Sequence, residues 1–295
     1  MVNKISKVQH YIQKINKYYP NLAIDTAKFN RDGQYNDVLI VNESIVFRFA
    51  KVQPAVKILR QEIRVLQNLQ AHISLQIPYP LYVNIDPEVN GDGFFGYQLI
   101  PGTPLWRENF LKIPNGYARK KMAAQLASFL QSLHQISVPE IVSDLPRHDN
   151  MQEWAEMYHR IQENLYPAMR PDARRKVSEH FENFLNQPDR CVFEPRLRHG
   201  DFGTGNIIYK PASLSIVGII DFGGIAIGDP ARDFAGLYIS YGEEFYEMCT
   251  SNYPEMEQAF DRVIFYCGTF ALQEALFGVE NDDKDAFQDG MEEYV

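Results

Sequence analysis

His199-Gly200-Asp201-Phe202-Gly203-Thr204-Gly205-Asn206, with Ile216-Val217-Gly218-Ile219-Ile220-Asp221-Phe222-Gly223 behind it, is the stretch that decides how this chain reads. The first segment, rich in glycine, is a loop leading directly into a short strand. The second is an apolar run that closes on a carboxylate, as a buried strand does when it delivers one charged group at its end. A lone Asp beside a Gly is an ordinary turn-former. His, Asp and Asn at these offsets, followed by an Asp ending an apolar strand, are much harder to assemble by chance. Transfer of a phosphoryl group asks for a carboxylate that orients the attacking hydroxyl and for oxygen ligands to magnesium. It also asks for a frame holding these within about 3 to 4 Å of the phosphate. Asp201 is expected to supply the carboxylate, and Asn206 and Asp221 the oxygen ligands, the three converging on one divalent cation. His199 is expected to frame the loop by hydrogen bonding. Further on, Asp229 reads as the N-cap of a helix beginning at Pro230.

Working outward, the N-terminal side is strand-rich with one helix. Residues 38–41 and 44–49 form an expected hairpin turning at Asn42-Glu43. Pro54 opens a helix whose Val56, Leu59, Ile63, Leu66 and Leu69 keep helical spacing. Strands are expected at 81–85 and 94–100, and Gly33 lies in a polar stretch between strands. Pro101-Gly102-Thr103-Pro104 is the strongest boundary signal. Beyond it, helical patterns cover 120–133, 151–165 and 173–185, short strands return at 206–209 and 215–220, and helices fill most of the remainder. Strands first and helices afterwards imply an α+β chain. The expected lobes are an antiparallel-sheet lobe with one main helix over residues 1–100 and a larger, mostly helical lobe over 101–295.

The chain has 295 residues, a formal net charge of -9 and 45% hydrophobic residues, which suits a globular protein with a sizeable core and argues against general nucleic-acid binding. No apolar run approaches the roughly 20 residues of a bilayer span. Ile5, Val8, Ile12 and Ile15 fall on one helical face, so the N-terminus reads as an amphipathic surface helix and not a signal peptide. Cys191, Cys249 and Cys267, odd in number and widely spaced, fit buried, unreactive thiols in a cytoplasmic protein. Basic residues cluster at Arg170, Arg174, Arg175 and Lys176, and acids dominate from Glu243 onward.

The pattern H-x-D-x-x-x-x-N followed by D-F-G is the kinase catalytic signature. Together with Asp229-Pro230-Ala231-Arg232-Asp233-Phe234 it resembles the aminoglycoside phosphotransferase and choline kinase family, of protein-kinase-like fold. The likeness is greatest to the 2''-aminoglycoside phosphotransferases, then to the macrolide phosphotransferases. The gap from Gly223 to Asp229 leaves no room for an activation segment, which disfavours a protein substrate. The resemblance implies Asp201 as catalytic base and Asn206 and Asp221 as magnesium ligands, with ATP or GTP as co-substrate. In the first lobe it implies that Arg48 faces the phosphates, in competition with Lys51 and Lys57, with Glu62 as the partner of Arg48. Gly33 would belong to a nucleotide-covering loop, and backbone groups of Gln98 and Ile100 would read the purine edge. Tyr97 would stand where kinases carry a gatekeeper, and its bulk is expected to favour GTP.

On the acceptor side the resemblance points to Glu243, Glu244, Glu247 and Glu274, with Glu280, Asp282 and Asp283, as an acidic mouth for a cationic aminoglycoside. Tyr238, Tyr241, Phe245, Tyr246, Tyr266 and Phe270 offer instead an apolar wall for a macrolide, or they are core. The alternatives are a macrolide or other natural-product kinase, a metabolic kinase for choline, homoserine or a sugar, and a non-catalytic nucleotide-binding pseudokinase. A cytoplasmic monomer, with no nucleic-acid or membrane partner, completes the expectation.

Overall fold

A computed structural model describes residues 6–30, 36–51, 53–85, 93–114, 116–137 and 145–295. Its contacts divide the chain into two units. The first runs to Pro104 and also takes in Asn206–Gly224; the second holds most of the rest. The expected division at residue 100 thus falls four residues before Pro104, and the 206–224 segment, expected in the second lobe, groups with the first.

The first unit is built on an antiparallel sheet in the order β1-β2-β3-β5-β4, with β1 Ala27–Asn30, β2 Asn36–Val41, β3 Ile45–Ala50, β4 Tyr82–Asn84 and β5 Phe94–Gln98. The β2–β3 hairpin pairs Val41 with Ile45 and turns through the three residues 42–44, with Asn42 and Glu43 both at positive φ (51° and 53°). Asn42 suits that position because its side chain accepts the Asp25 and Thr26 N–H groups and donates to the Ala23 carbonyl. Every residue of β3 is buried, so the strand has covered faces on both sides. Ile45, Phe47 and Phe49 join Leu39, Val41 and Phe94 in one cluster, closed by Tyr11 and Ile15 of α1 (Lys7–Tyr18). Val8 and Ile12 flank it as the periodicity predicts, and the Tyr11 ring stacks on Phe49 at 4.0 Å. The Tyr11 hydroxyl donates to buried Asp37, which Lys7 also pairs at 2.6 Å.

The alternate residues Val46 and Arg48 point the other way, toward α2 (Gln53–Leu69). Val56, Leu59, Ile63, Leu66 and Leu69 are all buried, each such side chain stabilising by roughly 1.5 to 3 kcal/mol. A smaller sheet in the order β6-β8-β9 joins Thr103–Pro104, Ile207–Lys210 and Ser215–Ile219. Thr103-Pro104, read from sequence as boundary alone, is therefore also a strand.

The second unit is mainly helical: α3 Arg107–Leu111, α4 Tyr117–His134, α5 Met151–Asn164, α6 Pro171–Leu185, α7 Ala231–Tyr241, α8 Glu243–Thr250, α9 Glu255–Gln258, α10 Phe260–Cys267, α11 Phe270–Glu280 and α12 Lys284–Met291. Two strands of three residues, β7 Arg196–Arg198 and β10 Ala226–Gly228, pair antiparallel, and sequence reading missed both. Phe260–Glu280 is long and apolar enough for a span by composition, contrary to the sequence expectation. It is two helices, α10 and α11, and Val263, Phe265, Tyr266, Leu272, Ala275 and Leu276 are buried in the protein. The basic cluster is spent locally: Arg170 pairs with Asp172, Arg174 donates to the Met169 carbonyl, and Arg175 faces Glu179.

Candidate active site

In the first unit, Arg48, Glu62 and Asp221 form one charged cluster, with Arg48 and Glu62 buried and the Asp221 side chain 43% exposed. β3 aims Arg48 at α2, whose Glu62 receives one guanidinium nitrogen, while a second nitrogen donates to the Asp221 carboxylate at 2.7 Å. The same Glu62 oxygen accepts the Phe222 N–H at 3.1 Å, tying α2 to the residue after Asp221. Arg48 is the cation placed here; Lys57 is exposed, and Lys51 faces Asp37 at 3.9 Å. Asp221 carries a positive φ of 60°, an uncommon backbone state for a residue with a side chain and one that concentrates at functional sites. Its carboxylate also accepts the Gly223 N–H at 3.3 Å. Asn206 sits at the same end of the β8–β9 hairpin, its carbonyl accepting the Ile220 N–H at 2.9 Å.

Burial pushes the Glu62 carboxyl up to about 7, with Arg48 and the Phe222 N–H opposing. Burial works to lower Arg48, but Asp221 and Glu62 more than offset it, and the guanidinium is held above its ordinary range. One consequence is measurable. A carboxyl raised on folding stabilises below its unfolded pKa, and that contribution fades as pH rises through the folded value. The stability of Glu62→Gln relative to the native chain should therefore climb by roughly 1 to 3 kcal/mol between pH 5 and pH 8. Urea unfolding of both proteins at four pH values tests this, and a difference that stays flat would show Glu62 ionised throughout.

Tyr97 is buried on β5 and stacks against Phe95 at 5.8 Å; burial holds its phenol well above the usual range, and the Arg48–Glu62–Asp221 charges act on it. Gln98 ends β5 opposite Ile45, the Leu99 N–H donates to the Ser44 carbonyl at 2.7 Å, and Ile100 is buried. Gly33 lies outside the described residues.

In the second unit the 199–205 loop is pinned from beneath. The fully buried Asp233 carboxylate accepts the His199 and Gly200 N–H groups, each at 2.8 Å, and the His134 imidazole at 3.1 Å. Burial raises the Asp233 carboxyl, but these donors outweigh it and hold it below the ordinary range. His199 is buried, and its Nδ1 accepts the Asp201 N–H at 3.3 Å, the framing task its sequence position suggested. Phe202 stacks on Phe129 at 5.6 Å, and α7 comes so close that a Cβ on Gly236 would lie 2.3 Å from the Phe202 carbonyl oxygen. Held by these contacts, the loop leaves Asp201 exposed.

Asp229 stands one residue before Pro230, the N-cap of α7, and not at the cap itself as its sequence position suggested. α7 starts at Ala231, whose N–H its carboxylate accepts at 3.0 Å, and the same group pairs with Arg262 at 2.6 Å and accepts from the Tyr266 hydroxyl. Alongside, Arg198 donates to Asp149 at 2.6 Å. No sequence motif marks Asp149, Arg198, Arg262 or His134; each is a single residue whose partner lies tens of positions away.

The acceptor candidates separate. Glu243, Glu244 and Glu247 are exposed on α8, and Glu274 on α11, where burial, then Asp289 and Asp283, raise its carboxyl. Glu280 is instead clamped by Arg160, and Asp283 caps α12 by accepting the Ala286 N–H. Tyr241, Phe245, Tyr246 and Tyr266 are core, and the three tyrosine hydroxyls donate to the carbonyls of Leu105 and Met256 and to the Asp229 carboxylate. Burial raises the thiols of Cys249 and Cys267, the latter to about 12, which keeps both protonated.

Residues 26–263 match the Phosphotransferase enzyme family, and the chain belongs to it. It is a small-molecule phosphotransferase of the aminoglycoside-phosphotransferase type, with a protein-kinase-like fold. Among curated proteins it is 26% identical over 268 residues to viomycin phosphotransferase of Streptomyces vinaceus, covering 89% of this chain and 91% of that one. Among solved structures it superposes on the GDP and kanamycin complex of APH(2'')-IIia with a TM-score of 0.89 at 25% identity, covering 96% of each chain. The type I macrolide 2'-phosphotransferase shares the fold at a TM-score of 0.77 and 15% identity, covering 99% and 98%.

Proposed function

We propose that this chain moves the terminal phosphoryl group of ATP or GTP onto a hydroxyl of a small cationic acceptor, an aminoglycoside before any other class. The single observation that carries the reading is the Arg48–Glu62–Asp221 cluster, in which charged groups from three separate elements meet beside the Phe95 ring. Burying the Arg48 and Glu62 charges costs several kcal/mol of desolvation each, which packing alone would not justify. Asp221 and Asn206 suit magnesium, since one carboxylate and one amide oxygen leave the remaining positions for phosphate oxygens and water. Among the described residues no group of three or more His, Cys, Asp or Glu could hold a metal without substrate oxygens. Bound there, the ion neutralises charge on the phosphates.

Arg48 would fork onto phosphate oxygens, and Asp201 would orient the acceptor hydroxyl and accept its proton late, because the transition state is loose. The aminoglycoside reading draws support from the exposed carboxylates of α8 and from the neighbour solved with kanamycin bound, and the viomycin phosphotransferase relative supports a cationic acceptor more broadly. The burial of Tyr241, Phe245, Tyr246 and Tyr266 removes most of the wall a macrolide would need. The bulk of Tyr97 narrows the space for the base and favours GTP.

A panel of aminoglycosides, viomycin, macrolides, choline, homoserine and sugars, each assayed for phosphate incorporation with ATP and with GTP, tests the whole. Turnover of a cationic antibiotic, with kcat/KM higher for GTP, is expected. Turnover confined to a metabolite would replace the acceptor class, a clear advantage of ATP would remove the gatekeeper role, and nucleotide binding without transfer would return the pseudokinase.

A further inference from the structure

Trp106 stands out in the second unit because it is held rigidly yet left 48% exposed. Its two chain neighbours are tethered. The carbonyl of buried Leu105 accepts the Tyr241 hydroxyl at 3.0 Å, and the Arg107 guanidinium donates to the carbonyls of Ile239 and Ser240 at 3.1 and 3.3 Å. The Trp106 carbonyl itself accepts the N–H groups of Asn109 and Phe110, both at 2.9 Å, as α3 begins. An aromatic ring so fixed has already lost its backbone freedom, so a ligand that stacks on it has little ordering left to offset.

The ring lies against the loop that carries Asp201. A Cβ on residue 205 would sit 3.2 Å from the indole Cη2 and 3.6 Å from Cζ3, and glycine there lets the indole edge rest on the loop backbone. Ile239, also 48% exposed, is joined to α3 through Arg107. Exposed carboxylates flank these elements, Glu108 directly after Arg107 in the chain and Glu243 and Glu244 after the end of α7. The Arg119 guanidinium is taken up by the Phe110 ring and the Leu111 and Ile113 carbonyls, and Lys112 lies at the far end of α3. Arg107 is occupied by backbone carbonyls. An exposed indole face on elements that also carry carboxylates suits a ring that carries ammonium groups, through stacking and cation–π attraction.

We infer that Trp106 is a specificity-determining residue whose indole face receives an ammonium-bearing ring of the acceptor. The inference rests on the proposed acceptor class and refines it. Trp106 and Trp154 are the chain's two tryptophans, and Trp154 is only 3% exposed, so the emission of Trp106 can be followed against a buried control. Kanamycin and viomycin serve as probes, titrated without nucleotide into the native chain and into Trp106→Phe, then assayed with Trp106→Ala and Trp106→Phe. A saturable emission change that Trp106→Phe lacks is expected. In Trp106→Ala the acceptor KM should rise about tenfold while the nucleotide KM moves less than twofold, and Trp106→Phe should restore most of that loss. Turnover of a probe with no emission change, or a rise shared equally by the nucleotide KM, overturns this role and leaves the proposed function standing. A saturable change with no transfer does the reverse, and neither binding nor transfer sinks both.

Discussion

Asp201→Asn is expected to lower kcat by about 10²- to 10⁴-fold while nucleotide affinity changes by less than about twofold. The substitution keeps the shape of the side chain and removes its charge and its capacity to take a proton. The loop beneath is held by other groups. His199 and Gly200 donate to Asp233, and Phe202 rests on Phe129 and against α7. The variant should therefore fold with native stability. The carboxylate is exposed, which leaves it open to a hydroxyl that it would align and whose proton it would receive late in a loose transition state. A contrast sharpens the test: Asp221→Asn removes one partner of Arg48 and should weaken nucleotide binding as well as kcat. Steady-state kinetics with calorimetric nucleotide titration separates the two. If Asp201→Asn works within tenfold of the native chain, or loses nucleotide binding in step with kcat, Asp201 is not the base.

The difference between these two aspartates also shows how much of the molecule was legible in the sequence. Local signals read well. The Asn42-Glu43 turn, the apolar stripe of α2 and the strand ending on Asp221 depend on neighbours within a few residues, where periodicity and turn preference operate. β7 and β10 were not legible, since three-residue strands have no period to detect. The cluster was half legible. Residue type and the family resemblance put Arg48 first while leaving Lys51 and Lys57 in competition, and the alternation of β3 places Arg48 beside Glu62. Long-range pairs escaped: Arg198 meets Asp149 across 49 positions, and Arg262 meets Asp229 across 33. On the acceptor side composition misled in part, because a carboxylate clamped by Arg160 and one capping α12 look, in sequence, like those left exposed on α8.

Asp233→Ala should destabilise the chain by about 3 to 5 kcal/mol, the cost of breaking a buried charged network from one side. Asp233 is fully buried and serves three donors, the N–H groups of His199 and Gly200 and the His134 imidazole. Alanine leaves all three facing a void that α4 and α7 are too well packed to close, since Leu130, Leu133 and Phe234 are buried around it. Asp233→Asn is the finer probe. Its amide oxygen can replace one acceptor, but its NH₂ group then meets a donor, so it should fall between alanine and the native residue. The pH dependence has a definite sign. A carboxyl held below its unfolded pKa stabilises above that value and loses the contribution as pH falls through the folded pKa, so the native advantage over Asp233→Ala should be full at pH 7 and shrink below about pH 4. Urea midpoints at pH 7 and pH 3.5, with hydrogen exchange at the His199 and Gly200 amides, measure both parts. Amides that stay protected in Asp233→Ala, or a loss under 1 kcal/mol, would mean that the loop carrying Asp201 is held by something other than this carboxylate.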